Sequence, residues 1–318
     1  MNQIPELYCP FPRATHPAAR EFEEGTIAWL RRFGFVSTAE EEQAARQARF
    51  GFLTAAVYPT GRFEALQLAS DLMVWLFRTD DSHIEEAGAD RRLRVVADHV
   101  IGSLRILRDP DDLPPTPSRE QLALSDISRR LNSLARPEQL ERFICGMTEY
   151  FMAASCEAIQ LAERSSPTLA DYMALRESSI CMRSVCFVFA EIAGGYELPG
   201  AAWCRPDLQA VVRSANRLIA MHHDVLSGYR ELDRDAALNL PIALMTEHGL
   251  PPAVAFTTAA RLADEEMRRF IALVDQLLST RAGSEVDRYV ESLRAWIAGN
   301  IDWSLETGRY HVDDYRAA

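Results

Sequence analysis

The sequence predicts an all-α fold, one domain built from roughly ten helices. Three observations carry this. Apolar residues recur at spacings of three and four almost throughout the chain. Alternating Val/Ile/Thr runs bounded by Asn-Gly or Asp-Gly turns are nearly absent. Proline and glycine fall in short clusters between the periodic stretches.

Taken in order, residues 1–14 read as an irregular arm, because Leu7-Tyr8-Cys9-Pro10-Phe11-Pro12 breaks any helical run. The clearest helix follows, with Ala65, Leu66, Leu68, Ala69, Leu72, Met73, Leu76 and Phe77 on its buried face. Similar spacing runs through 90–107, 120–134, 138–163, 168–193, 206–230, 252–280 and 285–308. The breaks between them are Asp109-Pro110 with Pro114-Pro115-Thr116-Pro117, then Arg136-Pro137, Ser165-Ser166-Pro167, Gly194-Gly195 to Gly200, and Gly249 to Pro252. These are loops between helices and not linkers between domains, so 1–318 reads as one unit, with 311–318 as a C-terminal tail.

Composition narrows the function. With 48% hydrophobic residues over 318, the chain can bury a sizeable core. The net charge of −12 argues against nucleic acid and against an anionic membrane surface, since both need a basic face. All 34 basic residues are Arg, so Arg stands wherever Lys would otherwise serve. Cys9, Cys145, Cys156, Cys181, Cys186 and Cys204 form no CxxC pair and sit in no zinc-like cluster, which fits reduced thiols in the cytosol. Residues 1–11 lack a signal-peptide pattern, and no run of apolar residues is long enough to span a bilayer, so a cytoplasmic location is expected.

Three polar segments interrupt the apolar pattern. Asp80-Asp81-Ser82-His83-Ile84-Glu85-Glu86 ends the helix of 65–77. Asp81 and Glu85, four apart, share a face, with Asp80 one residue round. Acid at a helix C-terminus opposes the dipole, whereas carboxylates gathered there suit a hard cation such as Mg²⁺. In His223-Asp224-Val225-Leu226-Ser227-Gly228-Tyr229-Arg230-Glu231, an imidazole, a hydroxyl and a carboxylate fall at i, i+4 and i+8 along one face. The last helix ends in Trp303 to Gly308 followed by Arg309-Tyr310, a guanidinium and a phenol that suit an anion. Taken singly, each segment equally describes a solvated helix end.

Together and in this order, from Pro10 to Tyr310, they resemble the bacterial class I terpene synthases. Asp80, Asp81 and Glu85 resemble the family's aspartate-rich motif in its DDxxxE form. His223, Asp224, Ser227 and Glu231 resemble its (N/D)DxxSxxxE motif, and Arg309-Tyr310 its terminal RY pair. The resemblance implies a helical bundle around a central active-site cavity and cyclisation of a linear prenyl diphosphate. It implies three Mg²⁺ ions, two held by Asp80, Asp81 and Glu85 and the third by His223, Ser227 and Glu231. Arg230, Arg309 and Tyr310 would bind the diphosphate, and Arg176 would sense it. On this reading Asp80, Arg176, Arg309 and Tyr310 carry catalysis. The substrate expected is farnesyl diphosphate, with geranylgeranyl and geranyl diphosphate as alternatives, and a homodimer is compatible with the family. A dry, aromatic-walled pocket is needed to keep water from a carbocation, and Trp75, Phe77, Phe151, Phe187, Phe189 and Trp303 are candidates, of which about two are expected to line it.

Four departures from the family pattern stand out. Ile84 occupies the motif's fifth position. His223 replaces Asn or Asp, and imidazole admits Mn²⁺ more readily than a purely oxygen donor set. The family's usual spacing back from His223 lands on Glu177, one residue beyond Arg176, so a one-residue insertion or a shifted helical turn is expected between them. Cys181 stands at the helix break where the family often has Gly. Two other readings remain open: a prenyl chain-elongating transferase, which normally carries two Asp-rich motifs where one is visible here, and a non-catalytic prenyl-diphosphate binding protein with a decayed metal site.

Overall fold

The computed structural model describes residues 4–165, 167–233 and 239–310. Fifteen α-helices appear among them: α1 Ala19–Arg32, α2 Ala39–Ala48, α3 Phe50–Val57, α4 Phe63–Thr79, α5 Glu86–Ala89, α6 Leu93–Arg108, α7 Arg119–Leu134, α8 Pro137–Glu163, α9 Leu169–Ser179, α10 Phe187–Gly194, α11 Gly200–Trp203, α12 Pro206–Asp233, α13 Leu240–His248, α14 Pro252–Ser279 and α15 Ser284–Glu306. Two π-helical turns, Asp80–Glu85 and Met182–Cys186, join α4 to α5 and lead into α10. The arm before α1 is irregular from Ile4 onward, while 1–3 and the tail at 311–318 lie outside the described residues.

The helix boundaries have local causes. Thr38 and Ser118 each accept from the backbone N–H three residues on, and Glu41 and Gln121 reach back, so α2 and α7 begin in capping boxes. Proline opens α8, α12 and α14, where its missing N–H costs nothing. The count exceeds ten because α2, α3, α5 and α11 are short and because the stretch 168–193 is not one helix. It breaks at Cys181, whose φ of 59° is left-handed.

α4 is the central element. Twelve of its 17 residues are buried, on more than one face, as expected of a helix surrounded by others. It packs against α1, α3, α7 and α10. The main core runs from Ala19 to Tyr310, and a smaller cluster of Tyr172, Met221, Val225, Leu240 and Leu244 fastens α9 and α13 to α12. Two glycines set close approaches. A Cβ on Gly88 would lie 2.9 Å from the Ala158 backbone, so only Gly lets α5 press on α8. A Cβ on Gly299 would lie 2.5 Å from the Ala56 carbonyl, where α15 meets α3. Gly299→Ala is therefore expected to cost about 1–3 kcal/mol, because main chain and not a pliable side chain must move. A lowered urea midpoint at unchanged m checks this, and an unchanged midpoint would show that the two helices can separate freely. No helix among the described residues is long and apolar enough to cross a membrane.

Candidate active site

The segments singled out in the sequence meet at one end of the bundle. An internal cavity of about 120 Å³ is walled by apolar side chains, among them Leu53, Met73, Leu76, Phe77, Ile219 and Trp303. Asp80, Arg176 and His223 also line it. Beside it opens a second space of about 380 Å³, lined by Asp81, Glu85, Glu86, Glu157 and Glu231. The arrangement is an apolar chamber with an acidic vestibule beside it, Asp80 lining the first and its neighbour Asp81 the second.

The Asp-rich segment is a π-turn, which closes i to i+5 where an α-helix closes i to i+4. Asp80 and Glu85, five apart, are thereby brought onto one side, closer than α-helical spacing would place them. Tyr150 on α8 donates its hydroxyl to Asp80 Oδ1 at 2.9 Å. Burial, and then the charge of Asp81, push Asp80 up to about 6. Burial followed by Asp80, Asp81 and Glu231 pushes Glu85 up to about 8. Burial would also raise Asp81, yet the Arg309 and Arg230 guanidiniums hold it below the usual carboxylate range. Arg309 donates to its Oδ1 at 2.7 Å and Arg230 to the same oxygen at 3.3 Å.

On α12, Asp224 is fully buried and acts as a junction. Its Oδ1 accepts from Arg176 at 2.6 and 3.1 Å, and its Oδ2 accepts from the Tyr172 hydroxyl and from the Leu240 N–H at 3.0 Å. One carboxylate thus ties α9, α12 and α13 together and fixes Arg176. Burial alone would raise its pKa, but Arg176 holds it low. His223 Nδ1 lies 3.0 Å from Arg176 Nη2 and 3.3 Å from Asp224 Oδ1. The shorter contact is to a group that can only donate, so we assign the lone pair to Nδ1 and the proton to Nε2, which faces Tyr310 Oη at 2.9 Å. Both ring nitrogens are thus engaged, and binding anything else would mean giving up one contact. Ser227 donates to Glu231 Oε1 at 2.5 Å and Asn239 to Oε2 at 2.6 Å.

Arg176 points inward, while Glu177 turns outward to Arg217 and its carbonyl accepts from Asn216 at 2.9 Å. The left-handed Cys181 and the π-turn after it lie between Arg176 and His223, so that interval departs from α-helical phase. Cys181 lines the chamber, and burial keeps its thiol protonated.

Not every expected wall residue reaches the chamber. Phe77 and Trp303 do. Trp75, Phe151, Phe187 and Phe189 do not, and each has a packing reason. Trp75 donates its indole N–H to the Glu120 carbonyl and stacks on His99, which Phe151 meets edge-on. Phe187 packs against Trp296 behind the wall, and Phe189 against Phe143.

The comparisons with known proteins now bear on this geometry. The family described as terpene synthase family 2, C-terminal metal binding, matches residues 71–269. Bonnadiene synthase of Allokutzneria albata is 32% identical over 96% of this chain and 86% of its own. The chain belongs to the terpene synthase family. The 4-epi-cubebol synthase of Streptosporangium roseum is 29% identical over 99% of this chain and 94% of its own. The structure of 2-methylisoborneol synthase from Streptomyces coelicolor A3(2), solved with Mg²⁺ and 2-fluoroneryl diphosphate, superposes with a TM-score of 0.84 over 99% of both chains, at 22% identity, and so shares the fold.

As a terpene synthase this enzyme binds a prenyl diphosphate and uses a divalent metal. Its residues fit such an ion. Glu85 and Glu157 face the vestibule, and neither has a hydrogen-bond or ion-pair partner among the described residues. Buried carboxylates left unpaired beside other carboxylates are costly unless a cation joins them. Among the described residues no three acidic, His or Cys groups already converge on one point. Glu157 carries no sequence signal because its α8 neighbours give no motif, and packing of α8 on α5 and on the π-turn, through Gly88 and the Tyr150–Asp80 hydrogen bond, brings it to Glu85. Tyr150 and Trp296 also line the chamber without a sequence signal; each reads as an ordinary helix residue until neighbouring helices are placed. Asn300 lines it too, within the stretch 299–304 that resembles the family's terminal helix.

Proposed function

We propose that this terpene synthase is a sesquiterpene cyclase, which ionises farnesyl diphosphate and cyclises the resulting carbocation. The observation that supports this best is the apolar chamber lined at one side by Asp80, Arg176 and His223, with the unpaired Glu85 and Glu157 in the space beside it. A hydrocarbon tail with an anionic head and its cations matches that polarity. The 4-epi-cubebol synthase relative cyclises farnesyl diphosphate by its name, and the match covers nearly the whole of both chains.

In this reading Asp80, Asp81 and Glu85 would hold two divalent ions, and His223, Ser227 and Glu231 a third. The ions supply charge neutralisation for the departing diphosphate. Mg²⁺ suits the carboxylates, and His223 admits Mn²⁺. Arg176, Arg230, Arg309 and Tyr310 are donors already gathered at the chamber mouth. When the diphosphate enters, Arg309 and Arg230 exchange Asp81 for its oxygens, and Arg176 contributes donors held in place by Asp224. Preorganised donors of this kind stabilise charge that develops as the C–O bond breaks. Phe77, Trp296 and Trp303 present ring faces and edges to the cation and keep bulk water out. The unpaired thiols fit the reducing cytosol.

Separate incubation with geranyl, farnesyl and geranylgeranyl diphosphate under Mg²⁺ or Mn²⁺, followed by mass analysis of the extract, tests the reading. Cyclic C15 products from farnesyl diphosphate are expected. Cyclic products from geranylgeranyl diphosphate alone would move the substrate to C20. His223 has its own test. His223→Asn is expected to keep or raise the Mg²⁺-dependent rate, because an amide oxygen is a harder donor than imidazole. Equal rates and equal Mg²⁺ dependence for the Asn and Ala variants would remove His223 from the ion-binding set.

A further inference from the structure

The chamber contains one side chain that a purely hydrocarbon product does not call for. Asn300 lines the cavity and is 5% exposed, and its Nδ2 is buried with no hydrogen-bond partner. Neither end of the carboxamide is hydrogen-bonded among the described residues. One turn earlier, Trp296 also lines the chamber, with its indole against the buried Tyr58; one turn later, outside the chamber lining, Ser304 leaves its Oγ buried and unpartnered. Asn300 and Trp296, four apart, form a polar seam on the chamber side of α15. Burying unsatisfied polar groups costs stability, and an apolar residue would fill the same place without that penalty.

The level of the seam is defined. Toward the inner end, Trp296 meets Tyr58 and Phe187 edge-on, at 5.4 and 6.4 Å between ring centres. Toward the mouth, Trp303 meets Phe77 and Tyr310 at 5.8 and 5.4 Å. Asn300 lies between them, deep below the diphosphate-binding groups, and Gly299 beside it locks α15 onto α3.

We propose that Asn300 holds the water that captures the final carbocation, so that the main product is a terpene alcohol. This rests on the cyclase reading above. A carboxamide both donates, through Nδ2–H, and accepts, through Oδ1. A water held on it keeps at least one lone pair free for the cation. That lone pair forms the new C–O bond, and the resulting oxonium gives one proton to the diphosphate released in the first step. Cation plus water becomes alcohol plus proton, and nothing is oxidised or reduced. Trp296 Nε1–H can only donate, so it can anchor a water but cannot orient one through its hydrogens.

The test is turnover of farnesyl diphosphate with Mg²⁺ in ¹⁸O-enriched water, with diphosphate release and product masses read together. The wild type is expected to give mainly an alcohol carrying the heavy oxygen. Asn300→Leu, similar in volume but unable to hydrogen-bond, should lower the alcohol share of total products at least tenfold. Asn300→Ser, which keeps a donor and an acceptor, should retain more of it than Leu does. Diphosphate release with only unlabelled hydrocarbon from the wild type overturns the proposal. So does an undiminished labelled alcohol share in the Leu variant. No diphosphate release from any prenyl diphosphate would instead overturn the cyclase reading on which it stands.

Discussion

Asp80→Asn and Glu231→Gln are each expected to lower turnover by about 10²–10³-fold while leaving the helical circular dichroism intact. The substitutions remove charge and preserve shape. An Asn at 80 still accepts from the Tyr150 hydroxyl. A Gln at 231 can turn its oxygen to Asn239 and its amide to Ser227, whose hydroxyl then accepts. What each loses is a full negative charge facing the space where a cation would sit, one in the chamber lining and one in the vestibule. Steady-state diphosphate release at saturating substrate measures the effect. Turnover within a few-fold of wild type in either variant would remove that side of the site from the metal-binding set.

The second large effect is on stability, and its sign follows from the buried acids. Asp80 and Glu85 have folded pKa values of about 6 and about 8, both above their unfolded values of 3.8 and 4.5. Glu157 is raised well above its ordinary value by burial and by the charges of Asp80 and Glu85. Between the unfolded and folded values, the native chain holds protons that the unfolded chain has lost. Their stabilising contribution is full below the carboxylate range and is lost as pH rises through about 6 and then about 8. The metal-free thermal midpoint therefore falls across that window. A divalent cation binds the ionised forms and displaces the protons, so the rise in midpoint on adding Mg²⁺ is larger near pH 8 than near pH 6. Thermal scans with and without chelator across the window check both signs. A metal-free midpoint that climbs through it would mean these carboxylates are already ionised and paired.

Much of this was legible in the sequence, for identifiable reasons. Periodicity located the long helices because each buries one continuous stripe, and the bounds of α4, α7, α8, α12 and α14 fall within a few residues of the periodic stretches. The polar motifs were legible because charge at the end of an apolar helix is conspicuous. What escaped depends on contacts between distant segments. Trp75 and Trp303 look alike along the chain, yet one packs on His99 and the other faces the chamber. Glu157 becomes part of the vestibule through the packing of α8 on α5 and on the π-turn, where Gly88 allows the close approach. Asp224 reads as one letter of a motif, and only the fold reveals it as the carboxylate that holds Arg176.

The two π-turns have a consequence for how such a chain can change. Each introduces a slip in helical phase, one beside the central helix and one beside the chamber wall. An α-helix advances about 100° per residue, so a helix obliged to point its apolar stripe inward also dictates where every later residue points. A phase slip lifts that obligation. Upstream, α4 keeps its packing in register with four neighbouring helices, while downstream the acids take an azimuth of their own. Core and chemistry are thus geared separately, and substitutions that retune one need not drag the other out of alignment.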